Sequence, residues 1–147
     1  MYLVENEIQY LDGFIRLNEE WILKYFELED ADFALAANPN QIINDGDYIL
    51  SLVSENKVVG VCALFNNGDG VFKLARMALS PKVQGKGLGN KLICAALEKL
   101  TLIGANKVYL LSNTKLESAI SLYKKHGFKT VSLEQHPIYS RANIVMD

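Results

Sequence analysis

Residues 84–90 read Gln84-Gly85-Lys86-Gly87-Leu88-Gly89-Asn90, with three glycines at alternate positions just ahead of a run with helical spacing. The chemistry such a stretch offers is the holding of an anion. The first N–H groups of a helix have no partner inside it, and the helix dipole favours negative charge there. Glycines let a ligand approach that backbone without interference from Cβ atoms. Spacing narrows the choice of phosphate binder. A dinucleotide fingerprint needs G-x-G-x-x-G, but position 90 is Asn and Gly89 comes one residue early. A P-loop needs Lys and then Ser or Thr after its last glycine, whereas Asn90 and Lys91 follow here. What stays open is a phosphate or pyrophosphate loop of another kind, with a tight turn as the plainer alternative.

The elements around the loop must position it. An apolar run over 71–79 is stopped by Ser80-Pro81, which makes it a strand feeding the loop. After the loop, Leu88, Leu92, Ala96, Leu100 and Ile103 recur at helical spacing until Gly104, a suitable C-terminal cap. Residues 108–111 follow as a buried strand, and so short a strand–helix–strand unit implies a parallel crossover. Upstream, 48–53 and 58–65 read as a hairpin, making an antiparallel meander with 71–79. Residues 1–10 carry a weak strand pattern. Residues 13–28 are helical, with a break expected near Asn18 because Glu19-Glu20 follow it as in a first turn. Residues 30–44 read as loop or short helix, 116–126 as helix closed by Gly127, and 128–133 with 138–146 as a last strand pair.

Composition bounds the function. The 147 residues are 50% hydrophobic with a net charge of −2, so they suit one domain over 1–147 with a sizeable core. No basic field or Lys/Arg run points to nucleic acid or to a membrane surface, and no apolar run is long enough to span a bilayer. Cys62 and Cys94 lie among apolar neighbours and read as buried free thiols, neither a disulfide framework nor a metal site. A cytoplasmic protein without metal is the expectation.

The run Gln84-Gly85-Lys86-Gly87-Leu88-Gly89 resembles the Q/R-x-x-G-x-G/A signature of the GNAT superfamily of N-acetyltransferases. Ala119-Ile120-Ser121-Leu122-Tyr123-Lys124-Lys125-His126-Gly127-Phe128 is similar to that superfamily's A-x-x-L-Y-x-x-x-G-F motif. Leu17-Asn18-Glu19-Glu20-Trp21-Ile22, with Phe26, Leu28, Glu29 and Asp32, resembles the opening of one bacterial branch. The resemblance implies an α/β (α+β) fold: a mixed, mostly antiparallel central sheet, helices on both faces, and one parallel βαβ crossover at a CoA site. It also implies transfer of an acetyl group from acetyl-CoA to a primary amine by direct attack on the thioester. A non-catalytic acyl-CoA sensor or interaction module is the alternative.

Carried over by matching residues, the backbone of Met77, Ala78 and Leu79 would meet the pantetheine arm. Gln84, Gly85, Lys86, Gly87, Leu88, Gly89 and Asn90 would cradle the pyrophosphate, and Asn113 would bond pantetheine from the far side. Tyr123 would be the general acid at the CoA sulfur. The plainer readings are a helix cap for Asn113 and a core aromatic for Tyr123. Trp21, Tyr25, Glu29 and Lys73 are the residues singled out for acceptor binding. The acceptor is a small-molecule or peptide amine, and a homodimer is allowed for. One departure stands out. Relatives of that branch read E-L-x-K-M where this chain has Lys73-Leu74-Ala75-Arg76-Met77, so a lysine replaces an acid. By strand alternation Lys73 and Arg76 should point to opposite faces.

Overall fold

The structure is a computed structural model that describes residues 1–147. Strand β1 (Tyr2–Glu5) leads through a 3-10 turn into helix α1 (Leu11–Tyr25), then the short helices α2 (Asp30–Ala37) and α3 (Gln41–Asn44). Strands β2 (Tyr48–Ser54), β3 (Lys57–Asn66) and β4 (Val71–Leu79) form the meander. Helix α4 (Leu88–Leu102), strand β5 (Lys107–Ser112), helix α5 (Glu117–Lys125) and strands β6 (Thr130–Ser132) and β7 (Ile144–Met146) complete the chain. The sheet runs β1-β2-β3-β4-β5-β7-β6, antiparallel throughout except for the β4–β5 pair.

Strand alternation sorts the central strands onto two cores. Ile49, Val58, Val61 and Ala63 join Leu11, Phe14 and Leu17 of α1 and Ile42 of α3. Leu50, Leu52, Cys62 and Leu64 join Leu88, Leu92, Ile93, Ala96 and Leu100 of α4 and Tyr123 of α5. Helices therefore cover both faces, as expected for strands apolar on each side. Each fully buried Leu, Ile or Phe contributes about 1.5–3 kcal/mol, so the two layers hold the sheet between them.

Three features differ from the sequence reading. Helix α1 is unbroken through Asn18, which is buried and does not cap: its Nδ2 donates to the Phe14 carbonyl at 3.1 Å and towards the Arg76 carbonyl at 3.4 Å. Tertiary partners satisfy the amide that would otherwise favour a helix start. The last strands are much shorter than 128–133 and 138–146. Leu133 and Ile138 are exposed, and 133–143 form a loop in which Gln135 Nε2 donates to the carbonyls of Ser140 at 3.0 Å and Ala142 at 3.2 Å. Cys94 sits on the outer face of α4 and is exposed, unlike Cys62, whose thiol burial pushes up to about 12.

Strand β4 is irregular where it matters. Arg76 and Met77 lie opposite Cys62 alone, a bulge in which Arg76 adopts φ +56°. Parallel pairing with β5 covers only Val71, Phe72 and Lys73, after which β5 turns to β7. The rest of β4 parts from β5 and leaves a gap in the sheet.

Candidate active site

The gap opens into a cleft of about 560 Å³, mostly apolar, walled by β4 on one side and by the end of β5 and α5 on the other. It gathers Trp21, Tyr25, Glu29, Lys73, Met77, Ala78, Leu79, Gln84, Gly85, Asn113 and Tyr123. Lys86, Gly87, Leu88, Gly89 and Asn90 lie outside its lining, in the loop and first turn of α4 just past Gly85.

The loop has the form the spacing suggested, but the glycines divide the work. Gly85 (φ +81°) and Gly87 (φ +76°) hold left-handed conformations with open space where a Cβ would point. Gly89 is ordinary helix, and its Cβ would stand 2.9 Å from Leu122 Cδ2, so it serves the packing of α4 on α5. No backbone N–H in 84–90 donates to another group of the chain. Asn90 places its Oδ1 2.6 Å from His126 Nε2, joining the first turn of α4 to the end of α5. Lys86 and Lys91 are exposed.

Tyr123 is nearly buried at the base of the cleft, its hydroxyl donating towards Met77 Sδ at 3.8 Å and its ring packed edge-on to Phe128. Burial raises its pKa, with a smaller push from Cys62, so the group stays a neutral phenol. Asn113 is buried and held at both ends: Oδ1 accepts from the Lys115 N–H at 2.9 Å and Nδ2 donates to the Arg141 carbonyl at 3.0 Å.

At the other end lies a charged cluster whose pairing the sequence did not reveal. Asp32 is 4% exposed, on the first turn of α2, and accepts from Arg76 at 2.5 Å and from Arg141 at 2.6 and 3.2 Å. Burial would raise its pKa; hydrogen bonds from Arg141, the Glu29 N–H and Arg76 outweigh that and hold it at about 2. Arg141 also meets Glu29 at 3.5 Å, and Glu29 accepts from the Ser140 hydroxyl. Glu29 is therefore a tethered carboxylate, though its side chain remains 40% exposed.

Lys73 and Arg76 do not part to opposite sides, because the bulge breaks the alternation and both line the cleft. Lys73 Nζ lies 5.0 Å from the ring centre of Tyr139 and 5.7 Å from that of Phe65. Burial, then the nearby Arg76 charge, lowers its pKa. Trp21 and Tyr25 stack edge-to-face at 5.4 Å on the α1 wall. No three His, Cys, Asp or Glu side chains come together as a metal-holding group.

Seven strands in this order, with the one parallel pair parting beside a glycine loop, are the acetyltransferase type of mixed α/β fold. The chain belongs to the acetyltransferase (GNAT) domain family, whose sequence pattern matches residues 45–130. It is similar to the Escherichia coli protein named uncharacterized N-acetyltransferase YjgM, 32% identical over 80 residues, which are 52% of this chain and 48% of that protein. The match thus spans about half of that relative. A GNAT-family acetyltransferase structure from Staphylococcus aureus Mu50 has a TM-score of 0.85 at 17% identity, covering 99% of this chain and 96% of the other. The PaiA N-acetyltransferase of Thermoplasma acidophilum, solved in complex with coenzyme A, has a TM-score of 0.74 at 19% identity and covers 99% and 98%. At such identities the structural likeness establishes the fold.

Proposed function

We propose that this protein is an acetyl-CoA-dependent N-acetyltransferase, with residues 1–147 acting as one domain in the cytoplasm on a primary amine. The observation that carries the reading is the succession of two sets of unpaired backbone: the β4 edge that β5 leaves along the cleft, and the free N–H groups of 84–90, which begin at the cleft with Gln84 and Gly85 and continue just past it. A long ligand with amides at one end and a pyrophosphate at the other suits both. The T. acidophilum structure of the same fold was solved with coenzyme A. The run Leu17–Ile22 on α1 lies outside the matched 45–130, and we read it as the mark of the bacterial branch.

Acetyl-CoA supplies an activated acetyl thioester, and the overall change replaces its C–S bond by a C–N bond to the amine. The backbone of Met77, Ala78 and Leu79 binds and orients the ligand arm along β4, and 84–90 hold its phosphates. Burial keeps Tyr123 protonated in the resting site; its hydroxyl would hydrogen-bond the sulfur as negative charge develops there and pass its proton to the departing thiolate, regaining one from water. Neither carboxylate near the acceptor end is free to serve as a base: Asp32 is held by two arginines and Glu29 by Arg141 and Ser140. The amine proton therefore leaves to water through the open mouth of the cleft.

Two measurements test this. Acetyl-CoA at a hundred times its Kd should stabilise the native state by about 2.7 kcal/mol, raising Tm by roughly 5–10 °C, and Gly87→Asp should abolish the shift. A panel of primary amines should release CoA thiol. An unmoved Tm in the unmutated protein overturns the cofactor site; a shift without thiol release from any amine favours a sensor.

A further inference from the structure

The charged side chains at the acceptor end do not balance. Lys73, Arg76 and Arg141 bring three cations against the two carboxylates of Asp32 and Glu29. Both arginines are paired, Arg76 with Asp32 and Arg141 with Asp32 and Glu29. Lys73 has no carboxylate within 4.0 Å and donates no hydrogen bond; its Nζ sits in a slot between the rings of Tyr139 and Phe65. A half-buried ammonium with unused donors, next to a guanidinium, presents a site for an anion.

We propose that Lys73 binds an anionic group of the acceptor, and that the acceptor is a primary amine carrying a carboxylate, of the amino-acid type. The inference rests on the acetyltransferase reading above. A carboxylate on Nζ completes the charge balance, makes a charge-assisted hydrogen bond and keeps the aromatic slot around the ammonium. The amine of the same molecule then extends along β4 towards Tyr123. A polyamine places a further cation beside Lys73, Arg76 and Arg141, where like charges repel across a partly dry cleft. Lys73 acts here as a specificity-determining residue.

The test uses the full chain with acetyl-CoA and a panel of the common amino acids, their carboxamides, aminoalkyl phosphates and spermidine, read by CoA-thiol release. An amino acid should exceed its own carboxamide about ten- to a hundredfold in kcat/KM, the range for a hydrogen bond to a charged group. Lys73→Gln should erase that ratio through KM for the acid, with kcat and acetyl-CoA Kd little changed, and Lys73→Arg should restore part of it. Equal use of acid and amide, a preference for spermidine, or an equal loss on both substrates in Lys73→Gln overturns the proposal. Preference for a phosphate over every carboxylate overturns the acceptor class and leaves the anion role. If acetyl-CoA raises Tm but no panel member turns over, this inference fails and the cofactor reading stands. An absent Tm shift takes both down.

Discussion

Tyr123 carries the mechanistic claim at the scale of single residues. Tyr123→Phe keeps the ring and its edge contact with Phe128, so fold and acetyl-CoA affinity should hold. Losing one placed donor should lower kcat about 10²-fold, with Kd nearly unchanged, because the bond strengthens only as the sulfur becomes charged. Because burial keeps the phenol protonated, that loss should be nearly the same from pH 7 to pH 9. Full activity in the Phe variant, measured where chemistry limits turnover, removes Tyr123 from the mechanism. The glycine turn at 84–90 could be read from local spacing and Tyr123 singled out by resemblance, because each belongs to a short contiguous run; their roles at the site are part of the proposed function. Asp32 was legible only as part of a motif. Its partners stand 44 and 109 residues away, and no periodicity links positions so distant. Tyr139 stayed hidden for the same reason: it belongs to a loop whose course depends on Gln135 and His136, the latter accepting from the Ile138 and Tyr139 N–H groups at 3.1 Å each.

At the scale of elements, the turn from β4 into α4 lends itself to a paired test. Gly87→Ala forces a Cβ into a left-handed backbone surrounded by open space, so its cost is conformational, about 1–2 kcal/mol. Gly89→Ala gains helix propensity of about 1 kcal/mol while pushing the terminal methyl of Leu122, the one atom it would crowd. It should lie within about 0.5 kcal/mol of the unmutated protein on urea unfolding. Equal losses at both positions would contradict this division of labour. Helix α4 was legible because one face buries at regular spacing. The unbroken α1 was not, since Asn18 followed by acids is a true local start signal that contacts to β4 override. The end of the chain misled for another reason. The apolar residues Leu133, Ile138 and Tyr139 suggested strands, yet they face solvent or the cleft, and burial is what distinguishes a strand from an apolar loop.

For the molecule as a whole, Asp32 links parts that the sheet hardly joins. Its carboxyl sits at about 2 in the folded state, below the ordinary value of 3.8, so it contributes stability above pH 4 that is lost as pH falls towards 2. That contribution is about 2 kcal/mol. Asp32→Asn leaves Arg76 without its counter-charge and Arg141 with Glu29 alone, and should cost about 3–5 kcal/mol at pH 7. It should also flatten the stability curve between pH 4 and 2, which urea midpoints against pH would show; an unaltered acid limb would mean that other carboxylates govern acid unfolding. The mixed sheet was foreseeable from the order of strand and helix patterns, whereas the insertion of β7 between β5 and β6 was not, because adjacent strands usually pair in sequence. The parting of β4 from β5 after only three residue pairs makes the protein a pair of jaws: β1 to β4 form one, β5 to β7 the other, and the short parallel seam is the hinge. The Asp32–Arg141 bridge is a strut across the opening. One core, with Leu64 and Leu74 on the first jaw and Leu110 and Met146 on the second, closes them at the back, so a ligand laid in the opening would join at the front what that core already joins behind.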